Sequence, residues 1–227
     1  MDGDSCIVAE SRVPPQGVEM RSIKGEWVKR VFDLAVASAM LVLFAPLMLV
    51  VALAIYLTDG LPVIYAHTRI GRFGAPFPCL KFRTMVRDSE AALVRLLDAD
   101  PDKRREWVET QKLLDDPRVL GSAGRFLRRT SLDELPQIFN VLRGEMSIVG
   151  PRPIVQKELE RYGSAADHYL SVRPGLTGPW QIGGRSSLSY DQRVAVDVAY
   201  IEDWSLGKDI RIVLKTAKAL GGSQDAI

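Results

Sequence analysis

"LAVASAMLVLFAPLMLVVALAIYL", Leu34 to Leu57, runs 24 residues without a charge. A run of that length is a candidate for the hydrocarbon core of a bilayer, which is ~30 Å thick and takes about 20 helical residues to cross. A signal peptide is a poor match, because a long polar stretch precedes the run and no small-residue cleavage site follows it. Pro46 divides the run into 12 and 11 residues, or ~18 and ~16 Å of helix, and neither part alone crosses the core. Basic residues flank both ends: Arg21, Lys24, Lys29 and Arg30 before it, and Arg69, Arg72, Lys81, Arg83 and Arg87 after it. The positive-inside rule then asks for both ends on the cytoplasmic side. One straight span cannot meet that demand. A helix that breaks at Pro46 and returns to its own side can, provided the freed backbone finds internal partners. Ser38 is the one hydroxyl on the first arm able to supply one. The expectation is therefore a re-entrant membrane helix over 26–58, bent at Pro46, between a disordered tail at 1–25 and a cytosolic domain at 59–221.

The bulk composition adds limits. The chain has 227 residues and a formal net charge of +2, which suits one domain with an appendage and does not point to nucleic acid. Two cysteines, Cys6 and Cys79, and two histidines, His67 and His168, make neither a disulfide framework nor a zinc knuckle.

Within the domain the stretch "TSLDELPQ", Thr130 to Gln137, sets Asp133 and Glu134 side by side. Taken alone it reads first as a helix start. Ser131 and Glu134 have the spacing of a capping box, acids favour the positive end of a helix, and Pro136 suits a first turn. The alternative is chemistry, since adjacent carboxylates can share a task where the backbone leaves the helical path. Arg125, Arg128 and Arg129 lie before the pair, and Arg143 and Arg152 after it. Any one of these can be plain solvated surface. Together they offer planar forks suited to phosphate oxygens. Two carboxylates ~5 Å apart repel by roughly 3 kcal/mol at an effective dielectric of 20. Mg²⁺ relieves such a pair and takes substrate phosphates to complete its shell. Acids, arginines and an anchor in one chain point to phosphoryl chemistry on a lipid, and no P-loop, kinase loop or nucleophilic serine motif competes.

The remaining expectations are structural. Pro62 to Met85 reads as a β-hairpin around "GRFGAP". Helices are expected from Asp88 or Ser89 through Leu97 and from Pro101 to about Leu114. "DDPRVLGSAGRF" reads as a turn-rich connector, and "GEMSIVGPRP" as a loop. A charged amphipathic helix over Ile154 to Val172, interrupted near Gly163, should precede a loop over Arg173 to Ser187. Two helices, Ser189 to Asp203 and Lys208 to Leu220, should end the chain. The fold class is α+β, mostly helical, with amphipathic helices lying on the membrane surface and no internal repeat.

Several strings go further. "KRVFDL", "KFRTM", "LRRTSLDELPQIFNVLRGEMSIVGPRP", "PGLTGPWQIGGRS" and "DVAYIEDWSLGKDIRIVLKT" resemble, in order, the bacterial sugar transferase family of monotopic phosphoglycosyl transferases, over roughly Lys29 to Leu220. The resemblance implies transfer of a sugar 1-phosphate from a UDP-sugar to undecaprenyl phosphate at the cytoplasmic face of the inner membrane. It assigns Asp133 as the nucleophile and metal-side carboxylate, Glu134 as its partner acid, and Mg²⁺ as cofactor. Arg128 and Arg152 match phosphate-holding arginines, and Lys81 and Arg83 are expected to act likewise. Glu145 stands where the family often has aspartate. The chain resembles the short members, which implies initiation of exopolysaccharide with glucose or galactose, and a homo-oligomer is left open. Two rivals stay in view: a catalytically idle scaffold of a polysaccharide assembly system, and a lipid-binding module in which the dyad is only a cap.

Overall fold

The computed structural model describes residues 25–110, 113, 116–183 and 188–221. The tail expected to be disordered lies, apart from Gly25, outside the described residues. The apolar run belongs to one long helix, α1 (Glu26–Asp59), of 34 residues, ~51 Å at 1.5 Å per residue. Its buried residues, Lys29, Asp33, Ala37, Met48, Val51 and Ile55, with half-buried Val36, Met40, Leu41, Phe44 and Ala52 between them, recur at three- and four-residue steps. That spacing is one helix face. The opposite face stays exposed and is equally apolar: Val42, Leu43, Leu49, Val50, Leu53 and Leu57. Composition hid this two-sidedness, because both faces are written in the same residues.

The break expected at Pro46 is not present as an interruption; α1 runs through it. An interior proline removes one backbone donor and costs ~3 kcal/mol. Packing of Met48, Val51 and Ile55 against Phe82, Leu120 and Leu127 holds the second half in place, since each such burial is worth ~1.5–3 kcal/mol.

The domain is pinned to both ends of this helix. At the start, Arg30 donates to the carbonyls of Val141 and Leu142 at 2.7 and 3.0 Å, Lys29 pairs with Asp209 at 2.8 Å, and Glu26 meets Arg72 and Arg173. At the end, Arg83 binds Asp59 and the Gly60 carbonyl, and Arg87 donates to the Asp59 carbonyl. These cations offset the negative pole of α1, whose last turn holds no basic residue of its own.

The hairpin forms as expected. β1 (Ile64–Ile70) and β2 (Pro76–Phe82) are antiparallel, with Ile64 opposite Phe82 and Ile70 opposite Pro76. α2 (Ser89–Ala99) and α3 (Pro101–Thr110) follow. The supposed connector then becomes helical at α4 (Gly121–Thr130). Its glycines read as loop signals, but a Cβ on Gly124 would lie 2.8 Å from the Thr84 carbonyl, so the small residue serves close approach. α5 (Gln137–Arg143) comes next, then β3 (Ser147–Val149). Two more short helices, α6 (Gln156–Glu160) and α7 (Ala166–Ser171), occupy the expected amphipathic segment with its interruption at Gly163.

The two segments expected to be loops instead pair as strands. β4 (Gly175–Thr177) runs parallel to β3, Ser147 opposite Gly175 and Val149 opposite Thr177. A Cβ on Gly175 would stand 2.1 Å from the Gly150 nitrogen, so the glycines of "VGP" and "PGLTGP" allow the chains to touch. α8 (Pro179–Gly183), α9 (Tyr190–Glu202) and α10 (Leu206–Gly221) complete the fold. The central core gathers Ala37, Ile138, Val141, Met146, Ile148, Tyr200 and Ile212 from α1, α5, β3, α9 and α10.

Candidate active site

Asp133 and Glu134 sit on a single 3-10 turn, Leu132–Glu134, between α4 and α5. The capping box expected of Ser131 and Glu134 does not form: Ser131 makes no side-chain cap and has a left-handed φ of 57°. That conformation costs a non-glycine residue of order 1 kcal/mol and turns the chain sharply, so the dyad sits off the path of either helix. Glu134 is held by Lys81 of β2, Nζ to Oε1 at 2.7 Å. Asn140 in α5 fixes the strand beneath: the Leu80 amide donates to its Oδ1 at 3.0 Å, and its Nδ2 donates to the Pro78 carbonyl and to Glu145 at 2.7 and 2.6 Å. Glu145 therefore has a bracing role.

Asp133 is only 9% exposed. Among the described residues no side chain donates a hydrogen bond to it. Burial raises its pKa above the usual carboxylate value; Glu134 pushes the same way, while Lys81 and Arg128 pull down without reversing the shift. An anion made more basic by its surroundings is a better nucleophile, provided it is ionised at the working pH. The buried Cys79 is the opposite case, its thiol pKa pushed up by burial, and offers no thiolate.

Of the cations expected to join the dyad, the structure gathers three. Lys81 touches Glu134. Arg128 is positioned by Thr84, whose Oγ1 accepts from Nε at 2.9 Å, and its charge is felt at Asp133. Arg152 is exposed and lines a cavity with Ser131 and Glu134. Arg83 is not in this group. Its guanidinium is spent on Asp59, Gly60 and Pro62 at the end of α1. Arg125, Arg129 and Arg143 are exposed on α4 and α5.

The cavity measures about 1030 Å³. Its polar wall holds Ser131, Glu134 and Arg152, and α1 supplies Val36, Met40, Leu43 and Phe44. A third wall, from α9, brings Tyr190, Arg193 and Asp197; sequence reading passed over these, as it did Thr84 and Asn140. Among the described residues no cluster of three acidic, histidine or cysteine side chains could hold a metal. Two hard carboxylates are nonetheless a sufficient protein share for Mg²⁺ when phosphate oxygens and water fill its shell, so the dyad fits that ion.

Glu134 and Arg152 on a largely apolar cavity, with the basic-shifted Asp133 next in sequence and Lys81 on Glu134, suit group transfer on an anionic, amphipathic substrate. The chain belongs to the bacterial sugar transferase family, whose model matches residues 24–222. It is 50% identical over 208 residues to the exopolysaccharide production protein ExoY of Rhizobium meliloti, covering 92% of this chain and 91% of that one. It is also 50% identical over 194 residues to an undecaprenyl-phosphate galactose phosphotransferase of Salmonella typhimurium, covering 86% of this chain but only 40% of the relative. With a UDP-glucose:undecaprenyl-phosphate glucose-1-phosphate transferase of Caulobacter vibrioides it shares 42% identity over 200 residues, 85% of this chain and 69% of the relative. The chain thus spans less than half the length of some relatives and nearly all of others.

Proposed function

We propose that this chain moves a sugar 1-phosphate, glucose or galactose, from a UDP-sugar to undecaprenyl phosphate, releasing UMP, as the first membrane step of exopolysaccharide synthesis. The observation that carries the reading is the cavity that joins Glu134 of the dyad and Arg152 to the apolar flank of α1. A phosphate on a long hydrocarbon needs both walls. Relatives named for undecaprenyl-phosphate sugar transfer support the substrate pair.

In the first step a carboxylate oxygen of Asp133 attacks the sugar-bearing phosphorus. The bond to the bridging oxygen breaks, and UMP leaves with that oxygen. In the second, an oxygen of the lipid phosphate attacks the same phosphorus, the Asp133–phosphorus ester bond breaks, and the carboxylate returns. Splitting the transfer this way replaces one difficult displacement by two easier ones. Lys81, Arg128 and Arg152 hold the equatorial oxygens, whose charge must be balanced throughout. Glu134, steered by Lys81, stands beside the reacting phosphorus as partner acid. Mg²⁺ held by Asp133 and Glu134 would add charge neutralisation on the phosphate oxygens.

The pinned ends of α1 support the membrane pose. Glu26, Lys29 and Arg30 at one end and Asp59 at the other are bound to the same domain, so neither end lies across the bilayer from it. The exposed stripe from Val42 to Leu57 enters one leaflet, and the protein is monotopic on the cytoplasmic face, as basic flanks on both sides require.

The test is the order of events. Enzyme with UDP-sugar and Mg²⁺ but no lipid should gain one sugar-phosphate mass and release about one UMP per site, as a covalent intermediate demands. No adduct, and no UMP until undecaprenyl phosphate is added, would replace it with direct attack by the lipid. No UMP under any condition would leave the idle scaffold or the lipid-binding module.

A further inference from the structure

Among the described residues three carboxylates are almost wholly buried: Asp33 at 1%, Asp209 at 0% and Asp197 at 1% exposure. The first two each take three donors. Asp33 accepts from Lys29, the Ser147 hydroxyl and the Ile148 amide at 3.0–3.1 Å. Asp209 accepts from Lys29, Tyr200 and Trp204. Among the described residues Asp197 has a single donor, the Tyr162 hydroxyl, 3.0 Å from Oδ2, and its Oδ1 is buried without a partner. A buried acceptor left unmade costs ~1–3 kcal/mol, and natural interiors leave very few.

Asp197 lines the substrate cavity. One turn earlier on α9, Arg193 lines it too, with a buried Nε that also lacks a partner and a guanidinium 4.8 Å over the Trp180 ring. Tyr162 and Tyr190, edge to face at 6.1 Å, complete the wall. An open acceptor beside an open donor, among aromatic rings, suits a neutral group that both donates and accepts. The other cations that favour phosphate are gathered at the dyad.

Resting on the proposed transferase reading, we propose that Asp197 is a specificity-determining residue for the nucleotide sugar. Its Oδ1 accepts a hydrogen bond from a neutral O–H or N–H of that substrate, and Arg193 Nε–H donates to the adjoining oxygen. Sugar hydroxyls and the imide N–H of uracil share this chemistry. Which of them lies here sets whether the residue reads the sugar or the base.

The experiment uses the full chain in nanodiscs, with wild type, Asp197→Asn and Tyr162→Phe. In Asp197→Asn the Tyr162 hydroxyl keeps the amide oxygen turned towards it, so the NH₂ group points into the cavity and the acceptor becomes a donor. Adduct formation from UDP-sugar should then show a KM raised about 10- to 100-fold, with the maximal rate within threefold. Tyr162→Phe, which frees Oδ2 but leaves an acceptor in the wall, should raise KM less than Asp197→Asn. If the base is read, inhibition by UMP weakens in step with KM; if the sugar is read, UMP inhibition is unchanged. A folded Asp197→Asn protein with a wild-type KM overturns the proposal, and so does Tyr162→Phe matching it, since either result leaves Asp197 a structural residue. Wild type forming no adduct tells against the transferase reading instead; Asp197 is then judged by equilibrium binding of UMP and UDP-sugar to the same variants.

Discussion

The underside of α1 and the wall of the cavity both bury carboxylates, and they treat them in opposite ways. Under α1, Asp33 and Asp209 share Lys29 and take further donors from Ser147, Ile148, Tyr200 and Trp204. In the cavity region, Asp133 receives no side-chain donor among the described residues and Asp197 receives one. The Lys29 cluster is a fastening: it joins α1 to β3, α9 and α10 where a charge alone would be costly. The under-supplied pair is poised for partners that arrive with substrate. Burial raises the pKa of both Asp133 and Asp197. On the proposed function, buried acids with few donors mark the site, and buried acids that share several donors mark assembly.

The largest effect that would break this comparison is at Asp133. Asp133→Asn should reduce adduct formation and transfer at least ~10³-fold, as loss of a nucleophile does, while circular dichroism and melting temperature stay near wild type. An active, folded Asn variant would make the dyad another fastening.

Next comes the Lys29 cluster. Lys29→Met strands two buried carboxylates and should lower stability by ~3–5 kcal/mol, or about 6–20 °C in Tm at roughly 2–4 °C per kcal/mol for a domain of this size. The folded fraction should keep its adduct chemistry. Loss of activity without loss of stability would move Lys29 from assembly to catalysis.

The strings that carried the family resemblance turn out to hold both kinds of residue, which is why sequence separated them only in part. "KRVFDL" contributes Lys29, Arg30 and Asp33, all spent on fastening. "KFRTM" contributes Lys81 to the dyad and Arg83 to the end of α1. The shared string grouped them, but β2 ends at Phe82, so strand alternation does not carry Arg83 to the face of Lys81. The hairpin was legible because "GRFGAP" has local turn chemistry. The β3–β4 pair was not, because three-residue strands far apart in sequence have no local pattern to read. The unbroken α1 was hidden too, since propensity at Pro46 yields to packing of its neighbours. Asp197 did leave a signal. It falls on the buried stripe with Val194 and Ile201, and a carboxylate at a core position of an amphipathic helix calls for a reason.

A pH experiment sharpens the contrast at Asp197, whose pKa burial raises to about 7. Its folded value lies above the unfolded one near 3.9, so the folded protein binds the extra proton between them. Stability from this group is therefore fullest below about pH 4, falls as pH rises towards 7, and is level beyond. The expected loss is on the order of 4 kcal/mol. Asp197→Asn should flatten that part of the stability-against-pH curve, measured by denaturant midpoints. An unchanged slope would show that Asp197 is already ionised and served by a donor.

Arg152 should come lower in the order. It is exposed and shares its work with Lys81 and Arg128, so Arg152→Ala should slow adduct formation about 10- to 100-fold rather than abolish it. Arg83→Ala should instead act on stability, by releasing the end of α1. If Arg83→Ala slows the chemistry of fully folded protein as much as Arg152→Ala, the division between fastening and function fails at that residue.

The smallest effect tests strain at the turn itself. Ser131 holds φ at 57° immediately before the dyad, a conformation that glycine adopts without steric cost. Its hydroxyl forms no cap, so little is lost with it. Ser131→Gly should relieve ~0.5–1 kcal/mol, against which glycine's larger unfolded-state entropy weighs. The net change in Tm should stay within about 2 °C. Adduct formation separates two meanings of that strain. If the left-handed turn only needs to exist, glycine keeps the rate. If the Cβ and hydroxyl that line the cavity mouth also hold Asp133 and Glu134 in register, the rate falls severalfold while stability holds. We expect the second outcome, because the wall shared by Ser131, Glu134 and Arg152 depends on a turn that glycine would leave free to move.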